Sequence, residues 1–371
     1  MGAMTHLFDP LPIRSLTLSN RIIVSPMCQY SSVGGFSNDW HFVHLGSRAV
    51  GGAALVITEA TAVTADGRIS PQDLGIYDDG HVPGLGHIVR FIHGQGTAAG
   101  IQLAHAGRKA STAAPSAGGG AVAPPDGGWE PVGPTSAVFS SAYPVPRAAT
   151  VAELAAVVSA FRQAALRARE ADFDVVEIHA AHGYLIHEFL SPLVNTRADQ
   201  YGGSFDNRVR LCLEVVDAVR GVWPERLPVF VRISSTDWKD GGWDIEQSVD
   251  LARRLRDRGV DLVDCSSGGA VADAHIPVGP GYHVPFAERI RREVGIPTGA
   301  VGLITDAVQA DGIVRGGQAD CVLLARELLR DPYWPQRAAR QLGHLVPWPT
   351  QYLRAAPPDT PARSTDHHER T

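Results

Sequence analysis

VAELAAVVSAFRQAALRAREADFDVVEI, Val151 to Ile178, holds one helix and one strand in order. Leu154, Val158, Phe161, Ala165 and Ala168 recur at three- and four-residue steps and form one apolar face, while Arg162, Arg167 and Glu170 lie off it. Thr150 and Glu153 form a capping box at its start. After Ala171 the period is lost, and Val175–Ile178 is a short, nearly continuous apolar run, as expected of a parallel strand covered on both faces. A helix followed by a buried strand is half of a βα repeat.

The repeat continues in both directions. Further β-rich runs lie at Ile22–Val24, Leu55–Thr58, Ile101–Leu103, Val229–Ile233, Leu262–Cys265, Thr298–Val301 and Cys321–Leu324. Between them, Val209, Cys212, Val216 and Val219 make one helical face, and Ile245, Val249, Ala252 and Leu255 another, the latter with Asp244 as N-cap and Gly259 just past its end. Eight strands alternating with helices predict an α/β protein, a parallel (β/α)8 TIM barrel; an open dinucleotide-binding sheet would need a GxGxxG after its first strand, and none is there. The expected organisation is a single barrel over 1–356 and a disordered tail over 357–371, where APPDTPARSTDHHERT lacks apolar periodicity. His105 to Thr150 is rich in Gly, Ala, Ser and Pro without helical period, and predicts a cap over the barrel mouth after strand three.

Composition narrows the function classes. The 371 residues are 44% hydrophobic and 19% charged, an ordinary globular balance with a large core. A formal charge of −6 without any Lys/Arg-rich run argues against nucleic acid and membrane surfaces as partners. The start, MGAMTHLFDPLPI, has neither the charged and apolar regions of a signal peptide nor the Ser or Thr that myristoylation needs at His6, and Cys28, Cys212, Cys265 and Cys321 are too scattered for a cluster or zinc site. A reduced, cytoplasmic protein is expected.

A (β/α)8 barrel works at the C-terminal ends of its strands, so the polar residues there are the candidates. Strand one runs into Ser25-Pro26-Met27-Cys28-Gln29-Tyr30; strand three carries Gln102 and then His105; strand four is followed by His179, His182 and Tyr184; strand five contains Arg232 and leads to Asp237; strands seven and eight lead to Gly302 and to Ala325-Arg326. Two histidines three apart with a tyrosine two further on can be structural, or can grip a ligand. Arg232 inside an apolar strand needs either an acidic neighbour or an anionic ligand, since an unpaired buried guanidinium costs several kcal/mol. Gly302 and Arg326 stand where barrels commonly hold phosphate.

Taken together, SPMCQYS (Ser25–Ser31), QLAHAGRKA (Gln102–Ala110), EIHAAHGYLIHEFLSP (Glu177–Pro192), DQYGGSFDNR (Asp199–Arg208) and ARELLRDPYW (Ala325–Trp334) resemble the old yellow enzyme family, over Leu7 to Ala355. Cys28 in the first motif resembles the thermophilic-like ene reductase subgroup, close to the bacillar NADPH dehydrogenases. The resemblance implies one non-covalent FMN, NADPH as reductant with NADH as alternative, and activated alkenes as oxidants in a ping-pong cycle. It assigns Ser25, Pro26, Met27, Cys28, Ala60, Gln102 and Arg232 to the flavin ring and Gly302, Ala325 and Arg326 to the phosphate. It also makes His179 and His182 donors to a substrate carbonyl or nitro oxygen, Tyr184 the acid that protonates the α-carbon, and Tyr30 a pocket wall. QYLR (Gln351–Arg354) resembles the segment that inserts an arginine into a neighbouring subunit, implying a homodimer or homotetramer in which Arg354 completes the partner's pocket. Two departures are Ala325, where glycine is frequent, and a long loop from Ala113 to Pro134. Rival readings are a metal-dependent hydrolase with His179, His182 and His187 as ligands, and a flavin-binding protein without catalysis.

Overall fold

The computed structural model describes residues 5–363. Eight strands close a barrel in which every pair is parallel: β1 (Ile22–Val24), β2 (Leu55–Ala62), β3 (Ala98–Ala104), β4 (Val175–Ala180), β5 (Val229–Ser234), β6 (Leu262–Ser266), β7 (Thr298–Ala300) and β8 (Cys321–Leu324). All eight expected runs are strands of this barrel, in chain order around it. The helices α1 (Asp39–Val50), α2 (Val82–Gly94), α3 (Val151–Glu170), α4 (Leu185–Leu190), α5 (Phe205–Arg220), α6 (Ile245–Asp257), α7 (Val284–Val294), α8 (Ala307–Arg315), α9 (Arg326–Arg330) and α10 (Trp334–Gln341) follow the strands. Among the described residues no helix is long and apolar enough to cross a membrane.

α3 has the predicted bounds, and its capping box is present: Glu153 N donates to Thr150 Oγ1 at 3.2 Å, and Thr150 N donates back to Glu153 Oε2 at 2.8 Å. Such a cap is worth about 1 kcal/mol. Inside the barrel Ile23, Leu55, Ile57, Val175, Phe230, Leu262 and Leu323 pack into one layer, and Leu11, Ile13 and Leu18 close it from below. Those three come from a hairpin, Leu11–Ile13 with Leu16–Leu18, that the sequence reading missed because strands of three residues leave almost no periodicity. With an apolar floor, the polar side chains of the barrel gather above it.

Between His105 and Thr150 there is no α-helix, only single-turn 3-10 segments and the short pair Val132–Gly133 with Arg147–Ala148, as expected of the cap. The expected free tail needs correction. Residues 357–363 return to the barrel through a Trp348–Ala362 bridge, and Arg363 donates to Ala49 O at 3.0 Å and Val50 O at 3.3 Å. These are the last carbonyls of α1, where a cation is favoured by both hydrogen bonding and the helix dipole. The rest of the tail lies outside the described residues.

Candidate active site

The stretch Ala180–Tyr184 turns sharply off β4. His182 sits in the left-handed region at φ 61°, and Gly183 follows at φ 72° because a Cβ there would meet Gly269 O at 1.9 Å. A left-handed non-glycine costs of order 1–3 kcal/mol and persists only when its surroundings hold it. Here they do: His182 N donates to Ser234 Oγ at 2.9 Å, and Lys109 Nζ, reaching in from the cap, donates to His182 O at 2.8 Å and Gly269 O at 2.6 Å. The turn thereby gathers three rings. His179 meets His182 edge-on with centroids 5.2 Å apart, and meets Tyr184 edge-on at 5.1 Å.

Burial and the nearby Arg232 charge push both imidazoles well below the usual histidine range, so each is neutral and offers one N–H and one acceptor nitrogen. His182 Nε2 lies 2.7 Å from Ser266 Oγ. His179 Nδ1 is buried with no partner. Burial together with the Cys28 and Tyr30 groups pushes the Tyr184 phenol well above its ordinary value, so it stays protonated.

Below this trio lies a belt of buried polar groups. Arg232 Nε is 3.0 Å from Asp264 Oδ2 on the adjacent strand, and Nη1 donates to Ser25 Oγ at 3.1 Å. Gln102 Nε2 donates to Glu177 Oε1 at 2.7 Å. Of the two ways to satisfy Arg232, the acidic neighbour is therefore present, and Asp264 is that neighbour.

One wall of the mouth is apolar: Ala60, Ile69, Ala104, Ala106 and Ala110 pack together, with Cys28, Tyr30, Trp129 and Tyr184 against them. Ala60, Ile69, Ala104, Ala106 and Tyr184 line a narrow crevice together with the buried Asp73. The Cys28 thiol pKa is pushed well up by burial and by the Asp73 and Glu59 carboxyls. Cys28 is thus a thiol, not a nucleophilic thiolate.

The β7 and β8 ends hold the remaining candidates. Gly302 has φ 106°, and a Cβ there would lie 2.8 Å from His283 Nδ1, so packing alone demands glycine at this position. Ala325 precedes α9, and the exposed Arg326 makes no ion pair or hydrogen bond among the described residues. Burial pushes the Tyr282 phenol above its ordinary value, against the opposing charges of Arg326 and Arg232. Pro26 and Met27 are half-buried between Ser25 and Cys28. Arg354 is not in this mouth: it is exposed on a 3-10 turn, Thr350–Ala355.

Two other histidines prove structural. His187 Nδ1 accepts from Gly183 N at 2.8 Å and its Nε2 lies 3.0 Å from Asp237 Oδ1, with both side chains fully buried. No group of three or more His, Cys, Asp and Glu is placed to hold a metal among the described residues. His105 Nδ1 accepts from Gly107 N, a local turn contact. Residues the sequence reading missed are Lys109, Ser234, Ser266, Asp264 and Glu177. The last two carried the same signal as Arg232, a charged residue inside an apolar strand.

The sequence matches the NADH:flavin oxidoreductase / NADH oxidase family over residues 6–344. It is 51% identical over 352 residues to an NADPH dehydrogenase of Geobacillus thermodenitrificans (strain NG80-2), covering 94% of this chain and 98% of that one. To an NADPH dehydrogenase of Bacillus subtilis (strain 168) it is 46% identical over 350 residues, with coverages of 94% and 98%. Among solved structures, morphinone reductase superposes with a TM-score of 0.79 at 28% identity, covering 99% of this chain and 96% of that one. Parallel barrel, polar rim and sequence agree, and the chain belongs to the NADH:flavin oxidoreductase / NADH oxidase family, the FMN-dependent oxidoreductases of the old yellow enzyme type.

Proposed function

We propose that this enzyme is an ene reductase, reducing C=C bonds activated by a carbonyl or nitro group with NADPH, or NADH, as reductant. The observation that carries this reading is the neutral pair His179 and His182, 5.2 Å apart and flanked by the protonated Tyr184 beside an apolar wall. Two neutral donors suit an uncharged oxygen that gains negative charge as the alkene is reduced.

The residues present fit FMN. The alanine wall offers a ring an apolar face, the Arg232 guanidinium is joined to the Ser25 hydroxyl, and Arg326 is a cation without an ion pair or hydrogen bond among the described residues. We assign Ser25, Pro26, Met27, Cys28, Ala60, Gln102 and Arg232 to the ring, and Gly302, Ala325 and Arg326 to the phosphate. Bound there, FMN supplies a two-electron carrier between the nicotinamide and the alkene. His179 and His182 hold the substrate's oxygen and fix the alkene's orientation, while Tyr30 and the alanine wall exclude water. Tyr184 gives its phenol proton to the α-carbon. The high pKa makes it a reluctant acid, matched to a strongly basic carbanion. Lys109 positions the turn that bears His182.

The purified protein is expected to be yellow, to bleach anaerobically with NADPH, and to regain colour on addition of cyclohexenone. A colourless protein that does not rebind FMN would refute the reading.

We further propose a homodimer, alone or paired into a tetramer, in which Arg354 enters the neighbouring active site. Its turn is pinned at the base by the Trp348–Ala362 bridge and presents Arg354 and Tyr352 to the outside. Arg354→Ala is expected to lower kcat/KM about tenfold, or ~1.4 kcal/mol, with unchanged melting. Unaltered kinetics would return Arg354 to the surface. The four free cysteines accord with a reducing cytoplasm.

A further inference from the structure

The belt beneath the mouth has one cation and two acids. Gln102 is in register with Glu177 across β3 and β4, and Arg232 is in register with both His179 on β4 and Asp264 on β6. Glu177 and Asp264 are fully buried. Asp264 shares the guanidinium, while Glu177 has only the Gln102 amide, and Glu177 Oε2 and Asp264 Oδ1 have no hydrogen-bond partner. The other titratable groups facing the acids are His179, neutral, and the buried thiols of Cys265 and Cys321, whose pKa values these acids help raise. A second buried carboxylate without a second cation is costly to ionise. Burial and the Asp264 charge accordingly push Glu177 up to about 8, so Glu177 is the member of the pair that gains or loses its proton there.

We propose that the Glu177–Asp264 pair takes up a proton from solvent, at Glu177, when negative charge is placed over Arg232, coupling cofactor reduction to protonation of the barrel interior. This rests on the reading that Arg232 faces the flavin. The physical step is competition: new negative charge draws on the same guanidinium that holds Asp264, so the pair loses its electrostatic support and binds a proton. One O–H bond forms, the proton comes from water, and the two electrons from the nicotinamide remain on the cofactor. Neutralising Glu177 this way leaves Asp264 sharing the one Arg232 charge, with no second carboxylate competing for it.

The test is the pH dependence of the flavin midpoint potential in the holoenzyme, in Glu177→Gln and in Asp264→Asn. Either variant leaves one carboxyl for one guanidinium, a pair that stays ionised in both redox states. The wild-type potential is therefore expected to fall more steeply with pH than either variant's, through the region near pH 8 where Glu177 titrates, by one proton per two electrons, about 30 mV per pH unit. Equal slopes in all three overturn the proposal. If Asp264→Asn does not retain flavin, Glu177→Gln, which preserves an amide partner for Gln102, decides the matter alone. Yellow protein with equal slopes defeats only this inference, whereas protein that never binds FMN defeats the proposed function with it.

Discussion

Arg232→Ala is expected to destabilise the fold by about 3–5 kcal/mol at neutral pH, the range for breaking a buried ion pair from one side. Arg232 and Asp264 are 7% and 0% exposed, and apart from the guanidinium neither Asp264 oxygen has a partner. Removing the cation strands a carboxylate inside the barrel, with Glu177 close by. The variant has one escape, protonation of Asp264, which burial already pushes above its ordinary value. The sign follows: losing Arg232 raises the folded-state pKa further above the unfolded one, so the stability that depends on the protonated form is present at low pH and lost as pH rises. The deficit against wild type should widen from acidic to neutral pH in denaturant titrations of protein without flavin. Arg232→Lys should recover part of it, keeping charge but not the fork that reaches both Asp264 and Ser25. An Arg232→Ala variant as stable as wild type at neutral pH contradicts the ion pair.

The second large effect is on ligand binding. His179→Ala combined with His182→Ala is expected to leave the barrel folded and flavin bound, but to weaken phenolic ligands roughly 100-fold or more, the loss of about 3 kcal/mol from two hydrogen bonds to a charged oxygen. Titration of the long-wavelength absorbance such ligands produce on a flavin would measure it, and an unchanged affinity would contradict the assignment. The single variants should differ. The His182 ring is also tied to Ser266, so its loss leaves that hydroxyl without its ring partner as well as removing the contact, whereas His179 has a free Nδ1 and loses only the contact. Because both imidazoles are held neutral by burial and by Arg232, affinity should not inflect near pH 6.5, the ordinary histidine pKa. An inflection there would mean that one of them carries a proton.

How much of this could be read from the chain depended on the range of the interaction. The bounds of α3, the caps of α3 and α6, and all eight barrel strands were legible because they arise between residues three or four apart or within one short run. So was the list of strand-end residues, since a parallel barrel sends every strand's C-terminal end to one rim. The hairpin below the barrel and the hydrogen-bonded segment 357–363 were not: the first is too short to show a period, and the second is held by carbonyls of α1 more than three hundred residues away.

At the site, the sequence by itself determined that His179, His182, Tyr184 and Arg232 share a rim, and that Arg232 needs a negative partner. It did not determine which partner. Register across adjacent strands chose Asp264 and, through the neighbouring strands, set Glu177 against Gln102. Only the folded chain placed Lys109 on the His182 carbonyl, and only its burial made both histidines neutral and the Tyr184 phenol persistently protonated. Residue types and their spacing follow from local chemistry, whereas the charge state of a buried group follows from what the fold brings within a few ångströms of it.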